Sequence, residues 1–306
     1  PGTGFAGGGH TAHPRQAVTG WRRIGLGVLV SGLLAACGTV PYTQRNQLMT
    51  ISNAEEAELG EAAFQEVKSG AWLIDDSRLR LIRRVGGRIA AAAGRDDFRW
   101  EFILIGSDEA NAFALPGGKV AFYSGILPYC ANEDGVAAVM AHEVAHVLSR
   151  HGAERLSQAR LLDIGGTAVS LVFSGGSPVV QKGVLGAYGM SGKLGVLLPF
   201  SRKHEAEADE IGLVLMAKAG FDPRTAIDFW RRLLASGREG KTSEILSSHP
   251  SGEERIRRLE ELMPIAVEYY KKAAVAPRSP EEESAKVPDI TPEEILRRLE
   301  EPEPAD

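Results

Sequence analysis

The stretch Ala141-His142-Glu143-Val144-Ala145-His146 constrains this chain more than any other. Two histidines four residues apart on a helix share one face about a turn apart, so both rings can reach a single metal ion. Glu143 sits between them, where it can take a proton from a metal-bound water. Zinc suits such a pair, because it lowers the pKa of bound water from ~15.7 to ~7. An ordinary helix can carry the same spacing, so a third ligand is what separates a metal centre from two incidental histidines. The chain has two cysteines, Cys37 and Cys130, and no Cys-x-x-Cys pair. A thiolate zinc site is therefore excluded, and nitrogen and oxygen must hold any metal.

The search for that ligand leads to Phe200-Ser201-Arg202-Lys203-His204-Glu205-Ala206-Glu207-Ala208-Asp209. Glu205 and Asp209 are four apart and face one way on a helix, whereas Glu207 points elsewhere. One of the pair can ligate zinc while the other orients a ligand histidine. A solvated acidic face has the same spacing. His151 lies five residues after His146, off the ligand face, and reads as a surface histidine. The longer motif His-Glu-x-x-His-x-x-Gly-x-x-His needs glycine at 149 and histidine at 152. Ser149 and Gly152 rule it out.

Around these motifs the pattern predicts an α+β chain, mainly helical, with a small antiparallel sheet. Ser52-Asn53-Ala54-Glu55 opens a helix that Gly70 closes, and Leu81, Val85 and Ile89 mark a second over Ser77–Ala93, ended by Gly94. Trp100 to Ile105 reads as a strand. Asn111-Ala112-Phe113-Ala114-Leu115 and Lys119 to Tyr123 flank Pro116-Gly117-Gly118 as a hairpin. An edge strand there could take substrate as an added strand, or simply be core. Asn132 or Asp134 caps the metal helix, which is expected to run to about Arg150. Residues 161–200, rich in glycine, read as core helices joined by loops or as a flap over the site. Asp222-Pro223 starts a helix through Phe229 and Leu233, and two more short helices, one of them over Ser251 to Leu262, carry the fold to about Ala274.

The ends read differently. Arg22 and Arg23 precede an uncharged run, Ile24 to Leu34, which is too short for a spanning helix of ~20 residues. Leu34-Ala35-Ala36-Cys37 resembles the bacterial lipobox. That implies a signal peptide over residues 1–36, a lipid on Cys37 that anchors the chain to a membrane, and a tether over 37–51. Gly38 in place of aspartate then implies the outer membrane. A plain secretory signal, or a short buried helix, with Cys37 incidental, is the alternative. Residues 52–275 would form the domain, and 276–306 an acidic, proline-rich disordered tail: from Pro277 on there are six prolines and ten acids against four bases. Over the whole chain the net charge is -5, which gives no electrostatic case for nucleic acid. The unpaired Cys130 reads as a buried structural thiol.

Taken together, His142-Glu143-x-x-His146, Glu205-x-x-x-Asp209, Asn111-Ala112-Phe113-Ala114 and Ser248-His249-Pro250 resemble one family. It is the HtpX- and CAAX-prenyl-protease-like zinc metallopeptidases (gluzincins), in particular the bacterial lipoprotein branch that includes BepA and LoiP. The resemblance covers roughly Gln44 to Tyr270 and implies a zincin-type domain holding one zinc ion. It makes Glu205 the third ligand, Glu143 the base, Asp209 the support of a ligand histidine, and Asn111, Ala112, Phe113 and Ala114 the substrate strand. His249 could take zinc's fourth position and hold the enzyme off, or merely start the helix after Pro250. Less than one tetratricopeptide repeat follows the domain in this sequence, so the likeness is closer to single-domain members. Implied substrates are misfolded or unassembled envelope polypeptides, with possible envelope-assembly partners. The rival reading is a periplasmic lipoprotein chaperone with a closed zinc site. A prenyl-protein endopeptidase is disfavoured, since this sequence has no set of apolar spans to admit a lipidated substrate.

Overall fold

The structure, a computed structural model, describes residues 37–162, 200–238, 244–249 and 252–275, with an isolated Gly2. The expected signal peptide, nearly all of the 161–200 stretch, Pro250, Ser251 and the acidic tail lie outside the described residues. The described chain is mainly helical with a small sheet, as expected. None of its helices is long and apolar enough to cross a membrane.

Strands β1 (Cys37–Thr39) and β2 (Asn46–Leu48) pair antiparallel in a hairpin of their own. The expected tether is therefore packed structure: Val40 and Ile51 are buried, and the Thr50 N–H donates to Ser157 Oγ at 3.0 Å. Helix α1 (Asn53–Gly70) follows, with Ser52 accepting the Glu55 N–H at 3.1 Å. After β3 (Leu73–Ile74) comes α2 (Ser77–Ala93), capped by Asp76 and closed by Gly94 at φ 62°.

The second sheet has four strands in the order β3-β4-β6-β5, where β4 is Glu101–Ile105, β5 Ala112–Leu115 and β6 Lys119–Tyr123. It is mixed rather than wholly antiparallel, because β4 and β6 run parallel, with Glu101 opposite Lys119. The Pro-Gly-Gly turn, with Gly117 at φ 80° and Gly118 at φ 85°, folds β5 onto β6. Because β6 rather than β5 then lies beside β4, the edge falls to β5. Both faces are covered, which is why the strands read as near-continuous apolar runs. Phe102, Leu104, Ala112, Ala114, Val120 and Phe122 face the main core. Ile103, Ile105, Phe113, Leu115, Ala121 and Tyr123 alternate with them and meet Phe64 and Val67 of α1.

A 3-10 turn (Ser124–Ile126) and the short α3 (Leu127–Cys130) lead to α4 (Glu133–Leu148), the metal helix. Asn132 is its cap, accepting the Gly135 N–H at 2.9 Å. Every residue from Gly135 to Leu148 is buried, so this helix is the centre of the domain. Cys130, at the end of α3, is also buried, and burial pushes its thiol up to about 12. α4 ends two residues before the expected Arg150, which adopts φ 55°, and α5 (His151–Leu162) starts at once in a new direction. The Arg150 side chain secures that break, donating to Glu56 Oε2 at 2.6 Å and to Ile51 O at 2.8 Å.

Four more helices complete the described fold: α6 (Arg202–Lys218), α7 (Arg224–Arg238), α8 (Glu244–Ser248) and α9 (Glu253–Val275). The last runs through Pro264 to Val275, longer than the helix expected over Ser251 to Leu262. α6 lies along α4 at close range because the contact is made of small residues. A Cβ on Gly212 would come within 3.1 Å of Ala141 O and the His142 Cα. Glu205, Asp209 and Gly212 recur at helical spacing, so the face that admits the close approach also carries the two carboxylates to the histidines.

Candidate metal centre

His142, His146, Glu205 and His249 each bring one ligand atom into a group whose members lie within 4.8 Å of one another. α4 supplies the two motif histidines, α6 the carboxylate, and the residue just after α8 the third ring. His142 Nε2 and His146 Nε2 are 3.1 Å apart, and Glu205 Oε2 and Oε1 stand 3.5 and 3.4 Å from them respectively. His249 Nδ1 is 3.0 Å from Glu205 Oε1 and 3.3 Å from His142 Nε2. All four residues are buried. Buried ring nitrogens and carboxylate oxygens aimed at one point fit zinc, which takes nitrogen and oxygen donors at about 2.0–2.2 Å in fourfold arrangements. Glu205 Oε2 is buried, with its charge met by Arg255 Nη2 at 2.9 Å.

The electrostatics follow from burial and neighbours. Burial lifts the Glu143 carboxyl to about 7, with His249 opposing the shift and Glu205 adding to it. Its Oε1 is buried without a hydrogen bond and lies 3.5 Å from His249 Nε2. Glu205 is held well below the carboxylate range despite its burial, because His249, Arg255 and His142 favour the charged form. Burial drives His146 well below the usual histidine range, with His142, His151 and His249 adding to that and Glu205 opposing it. For His142 burial and Arg255 act downward, but Asp209 and Glu205 outweigh them and raise it.

Asp209 lies where the sequence places it, with Oδ1 3.1 Å from His142 Nδ1. Behind it is a residue the sequence reading missed. Arg255, on α9, is buried and donates to Asp209 Oδ1 from Nη2 at 2.7 Å and from Nε at 3.0 Å. The same Nη2 is 2.9 Å from Glu205 Oε2, and the guanidinium lies 3.6 Å from the Trp230 ring centroid. Its signal was an arginine four residues before Leu259, on the apolar stripe of α9, where burial requires a partner.

His151 corrects the sequence reading outright. It is fully buried, with Nδ1 2.9 Å from His146 Nδ1 and Nε2 2.9 Å from Glu207 Oε2. Counting 3.6 residues per turn fails here because the helix breaks at Ser149 and Arg150, so the count does not carry from one helix to the next. Phe200 covers the cluster from above, its ring centroid 4.1 Å from that of His146 and 5.2 Å from that of His249. Its N–H donates to Ser248 O at 3.1 Å, and the Ile245 N–H donates to Ala110 O at 3.2 Å. The His249 segment is thus tied both to α6's entrance and to the residue before Asn111. Asn111, Ala112, Phe113 and Ala114 are buried, with β5 at the sheet edge and Asn111 Nδ2 buried without a partner.

Comparison with known proteins fits this centre. The model of peptidase family M48 matches residues 76–263, a span holding both motif histidines, Glu205, His249 and Arg255. The chain belongs to that family. Among M48-related proteins it is 40% identical over 232 residues to the mitochondrial metalloendopeptidase OMA1 of Schizosaccharomyces pombe, covering 74% of this chain and 66% of that protein. OMA1 of Saccharomyces cerevisiae is 40% identical over 185 residues, 58% of this chain and 51% of that protein. The beta-barrel assembly-enhancing protease of Escherichia coli is 30% identical over 253 residues, 79% of this chain and 52% of that protein. The chain therefore spans about half to two thirds of the length of these relatives. The M48 match begins at Asp76, so the β1–β2 hairpin, which reaches toward this centre, lies outside the matched span.

Proposed function

We propose that the chain is a zinc-dependent endopeptidase, and the observation that carries the reading is the convergence of His142, His146 and Glu205 beside Glu143. In that reading the first three hold zinc, which supplies Lewis acidity to the scissile carbonyl and to the attacking water. Glu143 is the proton carrier. Its buried, unpartnered Oε1 faces the cluster, so it can take a proton from the attacking water and return it to the leaving amine. Asp209 fixes the ring of His142, and Arg255 holds that carboxylate in place. β5, an edge strand reached through Asn111, is the surface to which an extended substrate would add as another strand. Burial of the whole cluster keeps the site dry once substrate covers it.

Substrates in this reading are misfolded or unassembled envelope polypeptides, cleaved in protein quality control. One relative is named a mitochondrial metalloendopeptidase and another a beta-barrel assembly-enhancing protease, and the second name supports envelope substrates. The lipobox-like Leu34-Ala35-Ala36-Cys37 favours the bacterial setting: a periplasmic protein anchored through lipid at Cys37, with assembly factors as partners. The test is cleavage of unfolded casein by the zinc-loaded protein beside Glu143→Gln. Activity in the parent and its loss by several orders of magnitude in the variant support the reading. Equal cleavage by both refutes it.

One observation favours a second reading, an assembly chaperone whose zinc site is closed. His249 places Nδ1 against Glu205 and Nε2 3.5 Å from Glu143 Oε1, where a water would stand between base and metal. Structural zinc sites are closed in this way. If His249 only holds an active enzyme off, His249→Ala raises peptidase activity, whereas the chaperone reading expects no cleavage from either form.

A further inference from the structure

Two ring nitrogens must be fixed for a histidine to hold a metal: the one that ligates and the one behind it, whose hydrogen bond sets tautomer and tilt. For His146 the ligating atom is Nε2, facing Glu205 and His142. Nδ1 therefore carries the proton, and it points at another imidazole, His151 Nδ1, at 2.9 Å. His151 must accept there, which places its own proton on Nε2, and Nε2 lies 2.9 Å from Glu207 Oε2. Each group in the row has only one consistent role, and the row ends on a carboxylate.

That carboxylate is held from outside the family-matched span. Arg45 Nε donates to Glu207 Oε2 at 2.7 Å, and the Thr43 hydroxyl donates to Glu207 Oε1. The other edge of the same guanidinium grips Glu154 on α5, Nη1 to Oε1 at 3.0 Å and Nη2 to Oε2 at 2.7 Å. Glu154 in turn meets His204 Nε2 at 3.1 Å, and the His204 ring stacks on His151 at 4.4 Å. One arginine thus joins the helix bearing His151 to the helix bearing Glu205 and Glu207. The connecting loop of the β1–β2 hairpin delivers it, and the burial of Val40 and Gln47 fixes the hairpin in place.

We propose that the β1–β2 hairpin is a working part of the metal centre, with Arg45 and Thr43 as positioning residues that fix His146 through Glu207 and His151. The inference rests on the reading of His146 as a zinc ligand. It gives residues 37–51 a task besides joining the domain to what precedes it. Displacing the hairpin would free Glu207, release the His151 ring and loosen the metal, without touching any residue that meets substrate.

The test is the rate at which the full, zinc-loaded chain gives up its zinc to a chelator, with melting temperature and kcat and KM followed in parallel. Arg45→Met keeps the reach and removes the charge. It should speed zinc loss about tenfold or more, the usual effect of removing an outer hydrogen-bond partner, and lower kcat with little change in KM. Arg45→Lys should recover part of the loss. Arg84→Met is the control: it breaks a two-bonded pair with Glu133 at the far end of the same metal helix and should leave zinc loss unchanged. If Arg45→Met also lowers the melting temperature of the metal-free protein, Thr43→Val, which removes one hydroxyl, decides the matter by the same readout. Zinc loss at the parental rate in both variants overturns the proposal. A parent that takes up no zinc would instead overturn the zinc reading itself, so the two failures are distinguishable.

Discussion

The two motif histidines stand four residues apart on one helix, yet they are braced in different ways. His142 meets its carboxylate directly: Asp209 lies 3.1 Å from Nδ1, and a buried arginine, Arg255, lies behind it. His146 reaches its carboxylate through a second imidazole, and the arginine behind Glu207 arrives from a hairpin at the amino-terminal end of the domain. Both rows end in a guanidinium, so each carboxylate has a cation beside it in a buried setting where an isolated charge would be costly. The difference lies in length and origin. The direct brace belongs to α6, packed against α4, and to α9, packed against α6, whereas the relayed one depends on a helix break and a separate sheet. A direct brace should be stiffer and its loss more damaging.

The largest effect is expected from Arg255→Met. The variant leaves Asp209 and Glu205 buried without their shared cation, and breaking a buried pair on one side costs about 3–5 kcal/mol. Zinc supplies positive charge to the same carboxylates, so the drop in melting temperature should be larger for the metal-free protein than for the zinc form. Equal drops in the two forms would mean that Arg255 acts through packing on Trp230 instead. Next comes Asp209→Asn, expected to raise zinc loss by about 10–100-fold, beyond the effect of Glu207→Gln. If Glu207→Gln proves as damaging, the relay is as stiff as the direct contact and the comparison falls.

How much of this was legible in the sequence depends on the kind of brace. Asp209 was readable because it and Glu205 share a helix face, a relation that four-residue spacing encodes. The same spacing rule misplaced His151, because left-handed Arg150 ends one helix and lets the next start in a new direction. Arg45 and Glu207 are 162 residues apart, a pairing no local pattern can carry. Three strands of the four-stranded sheet were foreseen, but β3 and the strand order were not, since a hairpin motif does not say which of its strands will meet a third. The helix expected over Ser251 to Leu262 runs on to Val275, since tertiary packing carries it through Pro264.

Smaller effects sharpen the picture. Gly212→Ala would set a methyl within 3.1 Å of the α4 backbone at Ala141 and His142. Overpacking of this kind costs about 1–3 kcal/mol. Because α6 carries Glu205, Glu207 and Asp209, both braces should loosen together, read as faster zinc loss alongside a lower melting temperature. A stability change with unaltered zinc loss would separate helix packing from the site.

The smallest effect concerns pH. Burial acts to raise Glu154, but His204 and Arg45 outweigh it and bring its pKa from 4.5 to about 2. A carboxyl lowered on folding adds stability that is full above its unfolded value and fades as pH falls toward the folded one. The melting-temperature gap between the parent and Glu154→Gln should therefore hold steady near neutral pH and narrow between about 4.5 and about 2. A gap that widens on acidification would contradict the charge assigned to this end of the relay.

The account's central claim is that a zinc ion sits among His142, His146 and Glu205, and zinc-edge X-ray absorption on the purified protein, with metal analysis, addresses it most directly. The account predicts one zinc per chain, a shell of nitrogen and oxygen at about 2.0–2.2 Å, and histidine scattering that weakens in His146→Ala. Zinc with sulfur at about 2.3 Å, or a histidine signal untouched by that substitution, would place the metal elsewhere and contradict it.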